Sequence, residues 1–379
     1  MKTSCSSGPP LATVTGRDRL LGRDVSASSH ARSATPMQRN KNNFDFIRFV
    51  AATMVILGHS YHLLLLSSQE PVSQLTGTMY SGSLGVYIFF VISGYLVTQS
   101  LERTSPRYHH YLWNRSLRIF PALVVVVVLS AFVLGPLLTD LSLAEYFHSG
   151  TTSAYLQTAA LYVHYYLPGV FSTNPYPGAV NGSLWSIPIE FLMYLMLLGL
   201  GLLGVIKRRT IVSLMWLLTT ATAILFPSCL TWSVPYVGDG VTITTLAIFF
   251  LSGMLFYLYR DTIPLDSRIL IFLCVVWILS FRTVYCMYVS YVFIPYAVTW
   301  FAFGRISITH NFGRYGDFSY GMYLYAFPVQ QTLIHFGLSS QVLLFFATFS
   351  ITLPIAVLSW HSVESRALRL KRHQVFAGT

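Results

Sequence analysis

The amino-acid sequence predicts an all-α integral membrane protein of about ten transmembrane helices, with both termini on the cytoplasmic side. Three observations carry that prediction. Of 379 residues, 54% are hydrophobic and only 10% are charged, against roughly 25% charged in a soluble domain, and the mean hydropathy is +0.58. Apolar runs of about 20 residues, the length that crosses a hydrocarbon core, recur from Phe44 to just before Glu364. Lys and Arg collect in alternate connecting segments, as they do on the cytoplasmic face of a membrane: the N-terminal tail, 102–118, Lys207 to Arg209 and the C-terminal tail. Soluble enzymes, secreted disulfide scaffolds and disordered proteins are thereby excluded. A net charge of +11 would suggest nucleic acid in a soluble chain, but its topological distribution argues for no nucleic-acid partner. Cys5, Cys229, Cys274 and Cys286 form no CxxC pair, so neither a staple nor a thiolate metal site is expected.

Residues 1–41 hold seven basic and two acidic side chains among Ser, Thr, Gly and Pro, with no apolar core. They read as a disordered basic cytoplasmic tail and not as a signal peptide, and Met37 is an alternative start. The membrane domain then runs over 42–363, with spans expected at 44–66, 83–101, 118–138, 184–206, 210–227, 241–259, 268–284, 287–304, 318–337 and 341–362, and 364–379 follows as a basic cytoplasmic tail. The stretch 153–171 is apolar but interrupted and closed by Pro168-Gly169, so a re-entrant or interfacial element is expected there. Segment 139–183 is rich in Tyr, including Tyr146, Tyr155, Tyr162, Tyr165, Tyr166 and Tyr176. Such faces suit a sugar, and they equally suit a membrane interface.

Ionisable groups inside spans cost a few kcal/mol on insertion scales, so each needs a partner or a purpose. The first span contains Asp45, Arg48, His59 and His62. Arg48 and His59 are eleven residues apart, close to three whole turns at about 100° per residue, and share a face. Asp45, one turn before Arg48, can pair with it. His59 is then either a satisfied histidine or a reactive base. Glu190, in NGSLWSIPIEFLMYL, has no cation on its own helix, and counted from the outer ends of the two spans it lies at nearly the depth of His59. His59 is therefore its expected partner, and Pro188 is expected to kink the helix.

A second cluster, RYHHYLWNRSLRIFP, brings Arg107, Arg115 and Arg118 together with Tyr108, Tyr111 and Trp113 at the cytoplasmic entry of the third span. Guanidinium forks bind phosphate bidentately and aromatic faces stack on a base, although the same mixture also serves as a topological anchor. No Walker loop, GxGxxG turn or HExxH motif occurs. The adjacent His109 and His110 point in different directions on a helix, so no metal site is expected.

Together these segments resemble acyltransferase family 3, membrane proteins that carry acyl groups from a cytoplasmic coenzyme A thioester to carbohydrates. Phe44-Asp45-Phe46-Ile47-Arg48, then Ala51-Ala52 and His59, is similar to the family's opening motif. Phe89-Phe90-Val91-Ile92-Ser93-Gly94-Tyr95-Leu96 is similar to its second-span motif, and Arg115-Ser116-Leu117-Arg118 with Pro121 to its Arg-x-x-Arg pattern. Ser183 to Phe191 resembles the segment carrying the intramembrane acid, and Ser319 to Pro328 the late motif, except that Ala326 stands where many members have a histidine. Many members continue into an extracytoplasmic hydrolase-like domain after the last span, whereas this chain stops at Thr379, so the membrane domain or a separate partner is expected to complete the delivery.

The resemblance implies a multi-pass O-acyltransferase of the cell inner membrane, acetylating a hydroxyl of an exopolysaccharide, lipopolysaccharide or lipid-linked glycan. It implies acetyl-CoA as donor and co-substrate, with glycan-assembly partners. Arg48, Arg115 and Arg118 would bind the donor, and His59 would take the acceptor's proton with Glu190 orienting it. Direct transfer and an acyl-histidine intermediate both remain open. The alternative is a proton-coupled transporter or flippase built on the same buried groups, but paired Gly/Pro-broken helices in matching halves are not evident. The donor reading predicts His59 within hydrogen-bond reach of Glu190, at the end of a tunnel opening near Arg115 and Arg118.

Overall fold

The computed structural model describes residues 42–304, 309 and 312–376, without the side chains of 372–376. The expected tail 1–41, with Met37, lies outside the described residues. The described chain is mostly helical; its only strands are the two-residue pair Ser233–Val234 and Gly238–Asp239. Each expected span has a helix at its centre: α1 (Phe44–His62), α2 (Ser81–Thr104), α3 (Tyr108–Leu129), α4 (Ser186–Leu202), α5 (Arg209–Leu225), α6 (Gly240–Leu258), α7 (Ser267–Leu279), α8 (Tyr285–Phe303), α9 (Ser319–His335) and α10 (Gln341–Ser359).

Among the described residues, six helices are long and apolar enough to cross a membrane: α2, α3 with its continuation to Leu138, α4 with its leading turn, α6, α8, and α10 with its continuation to Lys371. Helices α5 and α7 are apolar but only 17 and 13 residues long. Helix α1 carries Asp45, Arg48 and two histidines, and α9 carries Gln330, Gln331 and His335. Their polarity fits their place, because α1 packs against α2, α8, α9 and α10 and so turns its polar residues toward protein.

Helix α2 lies between α1 and α6. It touches α6 backbone to backbone, since a Cβ on Gly94 would sit 2.0 Å from the Phe250 carbonyl oxygen and one on Gly253 would sit 2.1 Å from that of Val91. Without a hydrophobic drive between helices in lipid, such small-residue contacts are what let dispersion hold a bundle together. Helices α3 and α10 each pass through one π turn, Ser130–Leu134 and Trp360–Glu364. Beyond the second the chain stays helical over Ser365–Phe376, so the expected start of the tail at 364 falls within a continuous helical run.

Between α3 and α4 the chain forms short helices at Leu143–His148 and Gly150–Leu156 and a 3-10 turn at Gln157–Ala160, then runs irregularly down the bundle beside α9. Irregular backbone among membrane helices must find its partners inside the protein. Asn174 Nδ2 donates to Gln331, Gln331 Nε2 donates to the carbonyls of Tyr176 and Ala179 at 3.0 and 2.8 Å, and Asn181 Nδ2 donates to that of Leu324 at 2.8 Å. The inserted segment is thus 174–185, just after the stretch expected to be re-entrant or interfacial. Helix α4 consequently begins halfway down α9, and Pro188 lies in its first turn, where the missing N–H breaks no bond within the helix.

Adding a methyl group at Gly94 or Gly253 must push α2 and α6 apart. Gly94→Ala and Gly253→Ala should each destabilise the protein by about 1–3 kcal/mol, read as a lower melting temperature in detergent, whereas Gly199→Ala, where nothing lies within 4 Å, should not lower it.

Candidate active site

Arg48 pairs with Asp45 as its spacing predicts, at 2.7 Å. The same Nη1 also reaches Asp317 Oδ2 at 2.6 Å, and Arg118 Nη2 reaches that oxygen at 2.5 Å. Asp317 precedes α9 and is 10% exposed at its side chain, and its other oxygen accepts from the Ser319 hydroxyl. One carboxylate therefore ties together α1, α3 and the start of α9. Burial disfavours its charge, but Arg118 and Arg48, helped by Ser319, outweigh burial and hold the carboxyl far below the usual carboxylate range. Asp317 falls between the expected spans 287–304 and 318–337, where nothing in the sequence marks it as a partner. The signal available was Arg118, a guanidinium at the entry of the third span with no acid on its own helix.

The Arg-x-x-Arg pair divides its labour. Arg118 is committed to Asp317, with Glu364 Oε2 a further 4.0 Å away. Arg115 has no acidic partner among the described residues: its Nη2 makes one long 3.5 Å contact to Ser100 Oγ, its Nε is buried without a partner, and its guanidinium lies 5.9 Å from the Tyr194 ring centroid.

Glu190 bonds Ser93 Oγ at 3.1 Å and, more closely, the Tyr194 hydroxyl. These three line a cavity of about 100 Å³ whose wall on α2 runs from Val97 to Val86, roughly 16 Å at 1.5 Å per residue. Its inner end shares Arg48, Leu96, Arg115 and Arg118 with a vestibule of about 540 Å³, also lined by Arg103, Asp317, Trp360 and Lys371. Its outer end stops at Val86, Phe89 and Tyr323, the latter two meeting edge to face at 5.9 Å.

His59 is not in this cavity. It is buried, its Nδ1 has no hydrogen-bond partner, and its ring meets Phe327 edge-on at 5.2 Å. The expected bond to Glu190 is absent, and the reason is depth. Gly58 is level with Gly82 on the antiparallel α2, so Ser93, with Glu190 beside it, lies about 16 Å further toward the inner end, near Arg48. Counting from the start of the apolar run misplaced Glu190, because that run begins in the inserted segment and not at the surface. Ala326, the departure from the late motif, is buried among Ala52, Ile56, Met322 and Ala356.

An acyltransferase domain model matches residues 41–361. The chain belongs to acyltransferase family 3. Two relatives agree with that family: an O-acetyl transferase of Shigella phage Sf6, 31% identical over 86% of this chain and 96% of its own length, and nodulation protein 10 of Rhizobium leguminosarum bv. viciae, 29% identical over 88% and 94%. No solved structure matches. The family and the phage relative support an enzyme of the O-acetyltransferase kind, which leaves the transporter reading without support.

Asp317→Asn should cost on the order of 3 kcal/mol, since it takes the close acidic partner from the mostly buried Arg118 and leaves Arg48 with Asp45 alone. Because the carboxyl's folded-state pKa lies below its unfolded value of about 3.9, the contribution is complete above that value and is lost only as pH falls through the lower one. Thermal melts should thus show the deficit of the variant unchanged from pH 5 to 9.

Proposed function

We propose that this family 3 member is a ten-span inner-membrane O-acetyltransferase, both termini cytoplasmic, that moves an acetyl group from cytoplasmic acetyl-CoA to a hydroxyl of an exopolysaccharide, lipopolysaccharide or lipid-linked glycan on the far side. The observation that carries the reading is the junction of a basic vestibule with a narrow cavity about 16 Å long. A coenzyme A thioester has that shape and charge: an anionic nucleotide head and a thin arm of about the same length. Acetyl as the group transferred rests on the name of the phage relative.

In this reading the phosphates stay in the vestibule near Arg115, and the arm follows α2 past Ser93, Glu190 and Tyr194, whose oxygens can meet its amides. Arg48 and Arg118, held by Asp317, shape the passage between the two spaces. The thioester then reaches Phe89 and Tyr323, with His59 beyond the ring of Phe327, one turn further along α9. Transfer requires these rings to turn aside. The acceptor hydroxyl attacks the thioester carbonyl as His59 takes its proton; the carbon–sulfur bond breaks, and the proton passes to the departing thiolate. Glu190 acts on the donor arm and not on the imidazole. Acceptor contacts on the outer side fall to the Tyr-rich segment, where the Tyr176 ring already meets His62 at a tilt, 5.0 Å between centroids.

His59→Ala should abolish acetyl transfer while the protein still inserts and purifies, and wild-type acetylation of the glycan in that variant would overturn the assignment. Arg115→Ala should raise the KM for acetyl-CoA by about tenfold or more with little change in kcat, as expected for a contact remote from the reacting carbonyl, and Arg115→Lys should recover only part of that loss for want of the planar fork.

A further inference from the structure

The vestibule carries more positive charge than its carboxylates can balance. Five cationic side chains line it against Asp45 and Asp317. Two of the five, Arg48 and Arg118, are held by those acids. The other three, Arg103, Arg115 and Lys371, have no acidic partner among the described residues. They come from three different elements: α2, α3 and the Ser365–Phe376 helix. Lys371 is half-buried and close enough to Arg115 and Arg118 to feel their charge. Like charges gathered where water is partly excluded repel one another, and the arrangement costs free energy unless an anion joins them. The buried, partnerless Nε of Arg115 is a donor on the same wall.

We infer that Arg103, Arg115 and Lys371 form the site for the phosphates of the donor nucleotide, so that the C-terminal helix is a wall of the donor site and not a tail. This rests on the donor reading above and changes its residues: the second arginine of the Arg-x-x-Arg pair is a structural ion-pair member, and its place is taken by Arg103 and Lys371, which the sequence motifs do not mark. A ligand with a diphosphate and a separate ribose phosphate matches three separated cations on three helices better than one cluster would. Each phosphate can meet one cation through charge-assisted hydrogen bonds. The nucleotide also bridges the Ser365–Phe376 helix to α2 and α3, which draws the vestibule together.

The test uses the full-length protein in nanodiscs and two probes: adenosine 3′,5′-bisphosphate for binding, and acetyl-CoA against S-acetylpantetheine as donors. In Lys371→Met and in Arg103→Ala the bisphosphate Kd should rise by about tenfold or more, what one charge-assisted contact supplies. The preference for acetyl-CoA over S-acetylpantetheine should fall by the same factor. Lys371→Arg, which keeps the charge and the fold, should stay within about threefold of wild type by the same measure. Wild-type bisphosphate affinity and donor preference in Lys371→Met would overturn the assignment, as would a wild-type protein that transfers acetyl from both donors without binding the bisphosphate. Bisphosphate binding that depends on Lys371 but is accompanied by no transfer from acetyl-CoA would uphold the anion site and overturn the donor reading instead.

Discussion

A single carboxylate oxygen, Asp317 Oδ2, accepts from two guanidinium groups on two different helices. Without it Arg118 would be a charge stranded at the edge of lipid and Arg48 would hold only Asp45; with the carboxylate each becomes a strut. The pairing fixes where α1 and α3 stand relative to the start of α9, and those helices carry His59, Arg115 and Tyr323. It also sorts the basic residues, because cations consumed in the frame cannot serve a ligand. Of the vestibule's cations, Arg103, Arg115 and Lys371 are left outside the frame.

The helices built on this frame are unequal in length, and the inequality creates the site. Helices α2, α3 and α10 continue past the level of Asp317, while α1 and α9 begin near it. The overhanging helices enclose the vestibule, and the shorter ones leave its floor open to the cavity above. On the other side, the inserted segment 174–185 replaces helix with irregular chain, held by Asn174, Asn181 and Gln331. That substitution sets Glu190 deep and leaves Ser183 and Ser186 against the Tyr323 hydroxyl.

Much of this was legible in the sequence. Hydropathy located the centre of each of the ten helices, and the three-residue step from Asp45 to Arg48 gave their pair directly. The Arg-x-x-Arg segment does border the vestibule, and the acid does face a cavity. Three things were not legible, each for a physical reason. Asp317 lies outside every apolar run, so its partnership with Arg118 depends on the fold alone. The depth of Glu190 depends on where a helix begins, and an apolar stretch gives its length but not whether its first turn is at the surface or inside the bundle. Lys371 reads as one of several charges in a basic tail, and only the continuation of helix through the Trp360–Glu364 π turn brings it back over Arg115.

The rings of Phe89, Tyr323 and Phe327 stand between the inner cavity and His59, and their position matters to the cell as well as to the reaction. Under the donor reading proposed above, one protein takes a substrate from one side of the membrane and serves an acceptor on the other, and such a protein is in danger of becoming a hole. Were the vestibule, the cavity and the histidine joined by one continuous file of water, protons would run down it, and an imidazole is well suited to relay them. In that reading the closed rings would keep the ion gradient intact between turnovers. Any opening would, in the proposed reading, coincide with the donor arm filling the passage, so that the substrate would also be the seal.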